Sequence, residues 1–167
     1  VGGDSSAQAM LRDCNIPVNN RFCRVVLVGI NSGGSAYGGI LPSNVLAEVS
    51  LTNLRQLNDL SYDKRDIRFA TRLQESLARP QPLDSITQVR NASGSTGMGS
   101  TDVGDVSWVV PTTGFNAACF VPGTPGHSWQ VVASGGSSIG RKGMNLAARV
   151  LAATAWDLYT QPKLLKA

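Results

Sequence analysis

The chain has 167 residues, which is enough for one domain with a hydrophobic core. Its composition is 42% hydrophobic and 16% charged with a mean hydropathy near zero, which excludes an intrinsically disordered chain, and no apolar run approaches the ~20 residues that cross a bilayer. The net charge of +4 is spread along the chain without interleaved aromatic residues, so the sequence predicts no nucleic-acid binding and no membrane association.

The N-terminus and the cysteines favour a cytoplasmic protein. The stretch 1–4 lacks a basic start and an apolar segment, so we expect no signal peptide. Cys14, Cys23 and Cys119 are odd in number and show no CxxC spacing, which predicts reduced thiols. An Asn-Ala-Ser triplet lies in the low-complexity stretch 91–100, and without a secretory signal we interpret it as a chance match to a glycosylation acceptor.

The first half of the chain predicts one strand and two helices. The valine-rich run at 23–30 is typical of a buried strand, and a glycine-rich loop follows at 31–39. Asn44 is predicted to cap a helix that starts at Val45. The apolar face of this helix is predicted to contain Leu51, Leu54 and Leu57.

The second predicted helix begins after Ser61 and runs to about Leu77. Its apolar stripe is predicted to consist of Ile67, Ala70, Leu73 and Leu77. The sequence ARPQP at 78–82 ends the helix, because proline cannot continue the hydrogen-bond ladder.

The second half predicts two strands and a long helix. The runs at 115–121 and 128–134 are interpreted as strands. The helix is predicted from Ser137 or Ser138 to Tyr159, with a buried stripe formed by Met144, Ala147, Leu151, Ala155 and Leu158. The overall pattern is a mixture of β and α.

The only histidine, His127, lies in the sequence GTPGHSWQ, between the two predicted strands of the second half. A rigid turn of glycine and proline can hold a metal-binding or catalytic side chain in a fixed position. A carboxylate together with an imidazole is the minimum of a metal site. The alternative is that His127 is an ordinary loop residue.

A second polar segment could contribute to the same site. Ser100, Thr101 and Asp102 stand where a helix could begin, and free N–H groups at a helix start favour an anionic ligand. Asp102 and Asp105 would share one helix face. The alternative is that Thr101 or Asp102 only caps the helix.

The sequence GGSSIGRKG at 135–143 has the glycine spacing of a phosphate loop. Arg141, Lys142 and Gly143 stand where the motif needs Lys and then Ser or Thr. A helix cap is therefore the preferred interpretation, and nucleotide binding is a weaker alternative.

Three ordered runs carry a resemblance to a known family: GSTDVGDVSWVVPT from 99, ACFVPGTPGHSWQ from 118, and GRKGMNLAARVLAAT from 140. They are similar to the C-terminal portion of aminobenzoyl-glutamate utilisation protein B-like members of the aminoacylase and glutamate carboxypeptidase metallopeptidase (amidohydrolase) family. The resemblance is strong over 99–160, weaker but in register over 41–77, and fades over 1–40.

The resemblance implies an α/β fold: part of a zinc-peptidase-like catalytic domain with a mixed sheet flanked by helices. Residues 41–167 would be the C-terminal part of that domain. Residues 1–40 match poorly and would be a lid-domain strand or loop, or sequence of other origin.

Such enzymes hydrolyse amides with two divalent ions, zinc or manganese. The resemblance implies that His127 is the last metal ligand and that Ser100, Thr101, Asp102 and Gly126 line the substrate pocket. The implied substrate is a small N-acyl or aryl amide of an amino acid.

The family's His-x-Asp segment and Glu-Glu pair do not occur in this sequence, and Glu48 and Glu75 stand alone on predicted helices. A catalytic zinc needs about three protein ligands, so this chain does not encode the full metal site. It does not encode the general base either. We expect a homo-oligomer or a partner chain to supply the missing half. The alternative function is a non-catalytic remnant that acts as a binding or assembly module.

Overall fold

The computed structural model describes residues 40–91 and 103–165. The chain divides into two compact units, of which the described parts are 40–42 with 103–112, and 43–91 with 113–165. The strand predicted at 23–30 and the loop predicted at 31–39 lie outside the described residues.

The described ranges contain five α-helices and two short 3₁₀ helices. The α-helices are α1 (Asn44–Leu57), α2 (Lys64–Gln74), α3 (Val103–Ser107), α4 (Trp129–Gly135) and α5 (Ser138–Thr160), and the 3₁₀ helices are Leu83–Thr87 and Pro162–Leu165. Of these helices, none is long and apolar enough to cross a bilayer.

In the smaller unit, Ser107 at the end of α3 holds the chain around residue 41. Its hydroxyl accepts a hydrogen bond from the Leu41 amide at 2.9 Å and donates one to the Gly104 carbonyl. Pro42 and Thr112 form an isolated parallel bridge next to this contact. The sequence placed a helix start after residues 100–102, and α3 does begin directly after them.

Both predicted helices of the first half are present, but their N-caps differ from the prediction. The cap of α1 is Ser43 and not Asn44, because the Ser43 side chain accepts the Leu46 amide. The cap of α2 is Asp63, which accepts the Asp66 amide while the Asp66 carboxylate accepts the Asp63 amide. This reciprocal capping box fixes the start of α2 two residues later than the sequence suggested.

The strand predicted at 128–134 is wrong, because this segment is the helix α4. Ser128 caps it by accepting the Val131 amide at 3.4 Å. Gln130 and Ser134, four residues apart, form its buried side. Seven residues are too few for periodicity to separate a strand from a short helix. Residues 115–121, also predicted as a strand, form neither helix nor strand.

The core of the larger unit lies around the first half of α5, against which α1 and α4 pack. One apolar cluster is formed by Leu54, Leu60, Ile86, Leu146 and Val150, and the second by Ala70, Leu73, Val121 and Ile139. In the predicted stripe of α2, the last three residues are buried and Ile67 is exposed.

The predicted buried stripe of α5 is wrong. Met144 and Leu151 are 59% and 60% exposed, whereas Leu146 and Val150 are almost fully buried. Of the other stripe members, Ala155 is exposed, and Ala147 and Leu158 are half-buried. The helix has apolar residues on two sides, and periodicity alone does not say which side faces the core.

The predicted α/β class is an expectation about the whole domain. The described residues are mainly helical, and the β pairing among them is limited to the Pro42–Thr112 bridge. The mixed sheet of the resembling family therefore remains a prediction.

Candidate functional site

The only histidine of the chain lies in a tight turn between residues 121 and 128. Val121 is buried, and its carbonyl accepts the Thr124 amide at 3.1 Å, which closes the first half of the turn. In the second half, the Ser128 hydroxyl donates to the Pro125 carbonyl at 2.7 Å. Hydrogen bonds thus constrain the backbone on both sides of His127.

Gly123 lies against the segment that follows α2, which explains the glycine at this position. Its φ is +91°, and a Cβ would lie 2.5 Å from the Arg79 carbonyl oxygen and 2.9 Å from the Gln81 nitrogen. Pro122 is held on the same side, since its carbonyl accepts from the Gln81 amide at 3.3 Å and from the Gln74 side chain at 3.1 Å. A larger residue than glycine would push the turn away from 79–81.

The helix α4 anchors the other end of the turn. The Gln130 side-chain amide donates to the Ser76 carbonyl and hydroxyl at 3.4 Å each. The Ser134 hydroxyl is fully buried and accepts the Val121 amide at 3.4 Å. Two side chains of one short helix therefore join the histidine turn to the core.

His127 itself is exposed and has a φ of +55°. This left-handed conformation is uncommon for residues other than glycine, among which asparagine, aspartate and histidine adopt it most often, and it costs free energy that the surrounding structure must offset. Gly126 before it is open, since no atom of the described residues, apart from its chain neighbours, lies within 4 Å of a Cβ built on it. The turn therefore presents the imidazole from a fixed, strained backbone beside open space.

The structure places two of the five predicted site residues together. Gly126 and His127 are neighbours in the turn, whereas Ser100, Thr101 and Asp102 lie outside the described residues.

The described residues do not assemble a metal site around His127. Over 40–91 and 103–165, no group of three or more His, Cys, Asp or Glu side chains is placed to hold a metal ion. His127 would be a single ligand, fewer than the three or four that zinc needs. A metal on His127 requires ligands from elsewhere, so no chemical step through a metal follows from these residues.

The glycine-rich stretch 135–143 joins α4 to α5. The strand that a phosphate loop needs before its first glycine is absent, since α4 occupies that place. Ser137 caps α5 by accepting the Ile139 amide at 3.1 Å, and a Cβ on Gly140 would meet the Gly135 backbone. These contacts agree with the predicted helix cap.

A buried charged cluster, which the sequence reasoning missed, joins α2 to α5. Asp66 is 1% exposed, and its carboxylate accepts hydrogen bonds from the Lys142 ammonium and the Ser138 hydroxyl. Lys142 also donates to the Ser61 carbonyl at 3.0 Å. Lys142 was named only in the comparison with a phosphate loop, and its pairing with Asp66 was not predicted. The acidic residue three positions after Asp63 was the available signal, because it marks a capping box.

This cluster shifts the pKa values of its members. Burial raises the pKa of Asp66, but the hydrogen bonds from Lys142 and Ser138 outweigh burial and hold it below the ordinary value. The hydrogen bond to Asp66 raises the pKa of Lys142. Burial, with the nearby Asp66 charge, raises the pKa of Tyr62 to about 12, and its buried hydroxyl has no hydrogen-bond partner among the described residues.

The comparisons with known proteins agree with the resemblance drawn from the sequence. The chain is 29% identical to one of the subunits of the p-aminobenzoyl-glutamate hydrolase of Escherichia coli (strain K12) over 157 aligned residues, covering 78% of this chain. The predicted resemblance to the aminobenzoyl-glutamate utilisation B-like proteins is thereby confirmed. The chain spans 33% of that relative's length. No protein-family model matches the chain, and no solved structure matches it.

Proposed function

We propose that this chain supplies part of the catalytic domain of a metal-dependent amidohydrolase that cleaves N-acyl or aryl amides of amino acids, with p-aminobenzoyl-glutamate as the representative substrate. The similarity to the E. coli hydrolase subunit supports the reaction class. The proposal places the activity in the cytoplasm and assigns the metal as zinc or manganese.

One observation carries the role of His127 within this proposal. An exposed histidine at a φ of +55° sits in a turn that Gly123, Gln130 and Ser134 hold against the core. A strained residue that the surrounding contacts fix in place is a candidate for a functional role. We assign His127 as one metal ligand, with Gly126 beside it in the pocket wall.

The remaining ligands and the general base come, in this proposal, from another part of the enzyme or from a partner chain. Ser100, Thr101 and Asp102 would complete the substrate pocket. The relative's name identifies it as a subunit, and the chain covers a third of that relative's length. Both facts support a catalytic centre assembled from more polypeptide than these 167 residues.

The test uses a chimera in which this chain replaces the matching third of the E. coli subunit, assayed as part of the E. coli hydrolase. We expect hydrolysis of p-aminobenzoyl-glutamate, and bound zinc or manganese by elemental mass spectrometry. His127→Ala should lower the metal content and reduce the rate by at least a hundredfold. Glu48→Ala, which changes an exposed carboxylate on α1, should alter neither. Full metal content and full activity in the His127→Ala chimera would refute the assignment.

A non-catalytic assembly module is the second candidate. It is favoured by the exposed apolar side of α5. A folded chimera that binds no metal and hydrolyses no amide would support it over the hydrolase.

A further inference from the structure

The helix α5 has a second apolar side, opposite the one that packs into the core. We define the outer face as Met144, Ala148, Leu151, Ala155 and Tyr159, which recur at three- and four-residue steps. The three large side chains among them are 59%, 60% and 87% exposed. This face is as regular as the buried one, yet nothing in the described unit covers it.

Of the four charged side chains of α5, three are held against their own unit by contacts, and the fourth, Arg141, is exposed one turn before Met144 and flanks the start of the face. Lys142 binds Asp66, Arg149 binds Asp59, and Asp157 accepts a hydrogen bond from the Asn53 amide at 2.8 Å. A surface helix normally carries charged or polar residues opposite its core side, and a helix that is apolar on both sides is normally buried. The outer face is therefore built for contact with another protein surface.

We propose that the outer face of α5 is the docking surface for the polypeptide that completes the hydrolase, an inference that rests on the proposed function. The relative is about three times as long as the part this chain spans, so most of the enzyme's potential contact surface lies outside this chain. The alanines between Met144, Leu151 and Tyr159 keep the face shallow. A shallow uncharged ridge fits the apolar side of a sheet or a helix layer.

A second copy of the chain and a membrane fit the observations less well. From Met144 to Tyr159 the face is about 22 Å long and about 10 Å wide, so it covers only a few hundred Å². A stable dimer buries about 800 Å² on each partner. A helix that lies on a membrane has a polar side rich in free Lys and Arg, whereas two of the three basic residues of α5, Lys142 and Arg149, are paired.

Hydroxyl-radical footprinting with mass spectrometry tests the docking surface on the chain alone and on the E. coli chimera. Leu151 is the probe on the outer face, and Ile67 on α2, another exposed aliphatic residue, is the matched control. We expect oxidation of Leu151, Met144 and Tyr159 to be at least fivefold slower in the chimera than in the chain alone. Oxidation of Ile67 should change less than twofold.

A charge on the outer face provides the second measurement. Leu151→Lys should leave the Tm and the solution mass of the chain alone unchanged, because the residue faces solvent there. In the chimera it should lower the Tm or prevent folding, whereas Ile67→Lys should be tolerated in both proteins. A chimera that fails to fold with its natural outer face counts against the proposal.

Four results would overturn the proposal. A loss of Tm in the chain alone on Leu151→Lys would show that the chain covers its own outer face. A change of solution mass would assign the face to a second copy, and binding to liposomes that Leu151→Lys abolishes would assign it to a membrane. An active chimera with an unprotected outer face would keep the proposed function and remove the docking surface. An inactive chimera with a protected outer face would support the docking surface and contradict the proposed function.

Discussion

At the scale of single residues, buried polar contacts determine where the helices begin and how they meet. The Asp66 carboxylate accepts hydrogen bonds from three donors: the Asp63 amide, the Ser138 hydroxyl and the Lys142 ammonium. A buried carboxylate is costly unless such partners satisfy it. Since Ser138 and Lys142 lie in the first turns of α5, Asp66 links the N-termini of α2 and α5.

Replacing Asp66 by asparagine should destabilise the larger unit by about 2–3 kcal/mol. The change removes the closer of the two carboxylates beside Lys142 and weakens two hydrogen bonds. The partial exposure of Lys142 and its remaining pair with Asp63 at 3.7 Å keep the loss below that of a fully buried pair. Chemical denaturation at pH 7 measures it. The matched control is Asp59→Asn, which breaks the exposed pair with Arg149 and should leave the denaturation midpoint nearly unchanged. Equal effects of the two variants would contradict the role of Asp66.

The same cluster predicts how stability changes with pH. The folded pKa of Asp66 lies below its unfolded value, so its contribution is present above about pH 4 and is lost as the pH falls through the folded value. The pKa of Lys142 is raised, so its contribution is present below about pH 10 and is lost as the pH rises through the folded value. The difference in unfolding free energy between the native chain and Asp66→Asn should therefore be largest near neutral pH and shrink below pH 4. A difference that stays constant from pH 7 to pH 3 would show that the carboxylate charge is not its source.

At the scale of secondary-structure elements, α5 decides the packing of the larger unit. It contributes Ile139, Leu146 and Val150 to the two core clusters. Its inner side also allows another backbone to come very close, since a Cβ on Gly143 would lie 2.6 Å from the Ala118 carbonyl oxygen. This contact holds the irregular segment 115–121 against the helix, and that segment leads directly into the histidine turn.

Gly143→Ala should destabilise the unit by about 1–3 kcal/mol, because the added methyl group overlaps the Ala118 backbone. Helix propensity alone predicts the opposite, a gain of about 1 kcal/mol. Asn145→Ala on the same helix is the control, since this exposed position should follow propensity and be neutral or slightly stabilising. Thermal denaturation of the two variants compares them, and a stabilised Gly143→Ala chain would refute the close approach.

The two faces of α5 can be told apart by truncation. Leu146→Ala should cost about 2–4 kcal/mol, because the side chain is 1% exposed and its removal leaves a cavity. Leu151→Ala should change the stability of the chain by less than about 0.5 kcal/mol, because that side chain is 60% exposed. Urea denaturation of both variants gives the comparison, and a larger loss for Leu151→Ala would reverse the assignment of inner and outer face.

At the scale of the whole molecule, the described residues form two compact units, and one of them contains the proposed metal ligand. His127 lies in the larger unit, 43–91 with 113–165, and Asp105 lies in the smaller one. The similarity to a hydrolase subunit is clear, yet the sequence contains neither the His-x-Asp segment nor the Glu-Glu pair of the family it resembles. The proposed hydrolysis therefore depends on residues outside these 167.

The purified chain alone should not hydrolyse p-aminobenzoyl-glutamate and should bind zinc or manganese at well below one ion per chain. A single imidazole cannot hold a catalytic ion, and the sequence offers no general base at the expected place. Product formation followed by chromatography, with elemental analysis of the same sample, measures both quantities. Stoichiometric metal and turnover that disappear together in His127→Ala would show that this chain completes the site by itself or by self-association.

The sequence alone determined the family resemblance and the existence of the long helices. Its ordered runs pointed to the aminobenzoyl-glutamate hydrolase relative, and the 3.6-residue periodicity located α1, α2 and α5 to within a few residues of their ends. These features depend on residues that are close together in the sequence, so they can be predicted without the tertiary contacts. Short segments were predicted less well. The segment that forms α4 was predicted as a strand, because the apolar pattern of seven residues fits both the helical and the strand period.

Only the tertiary structure decided which side of α5 is buried, because both sides are apolar and the choice depends on what α1 and α4 present to the helix. It also decided that Lys142 is paired with a buried carboxylate 76 positions away, a contact that chain spacing does not reveal. The left-handed conformation of His127 likewise belongs to the folded turn, which Gly123, Gln130 and Ser134 join to the rest of the unit. Sequence patterns report local preference, whereas burial and pairing depend on residues that are distant along the chain and adjacent in space.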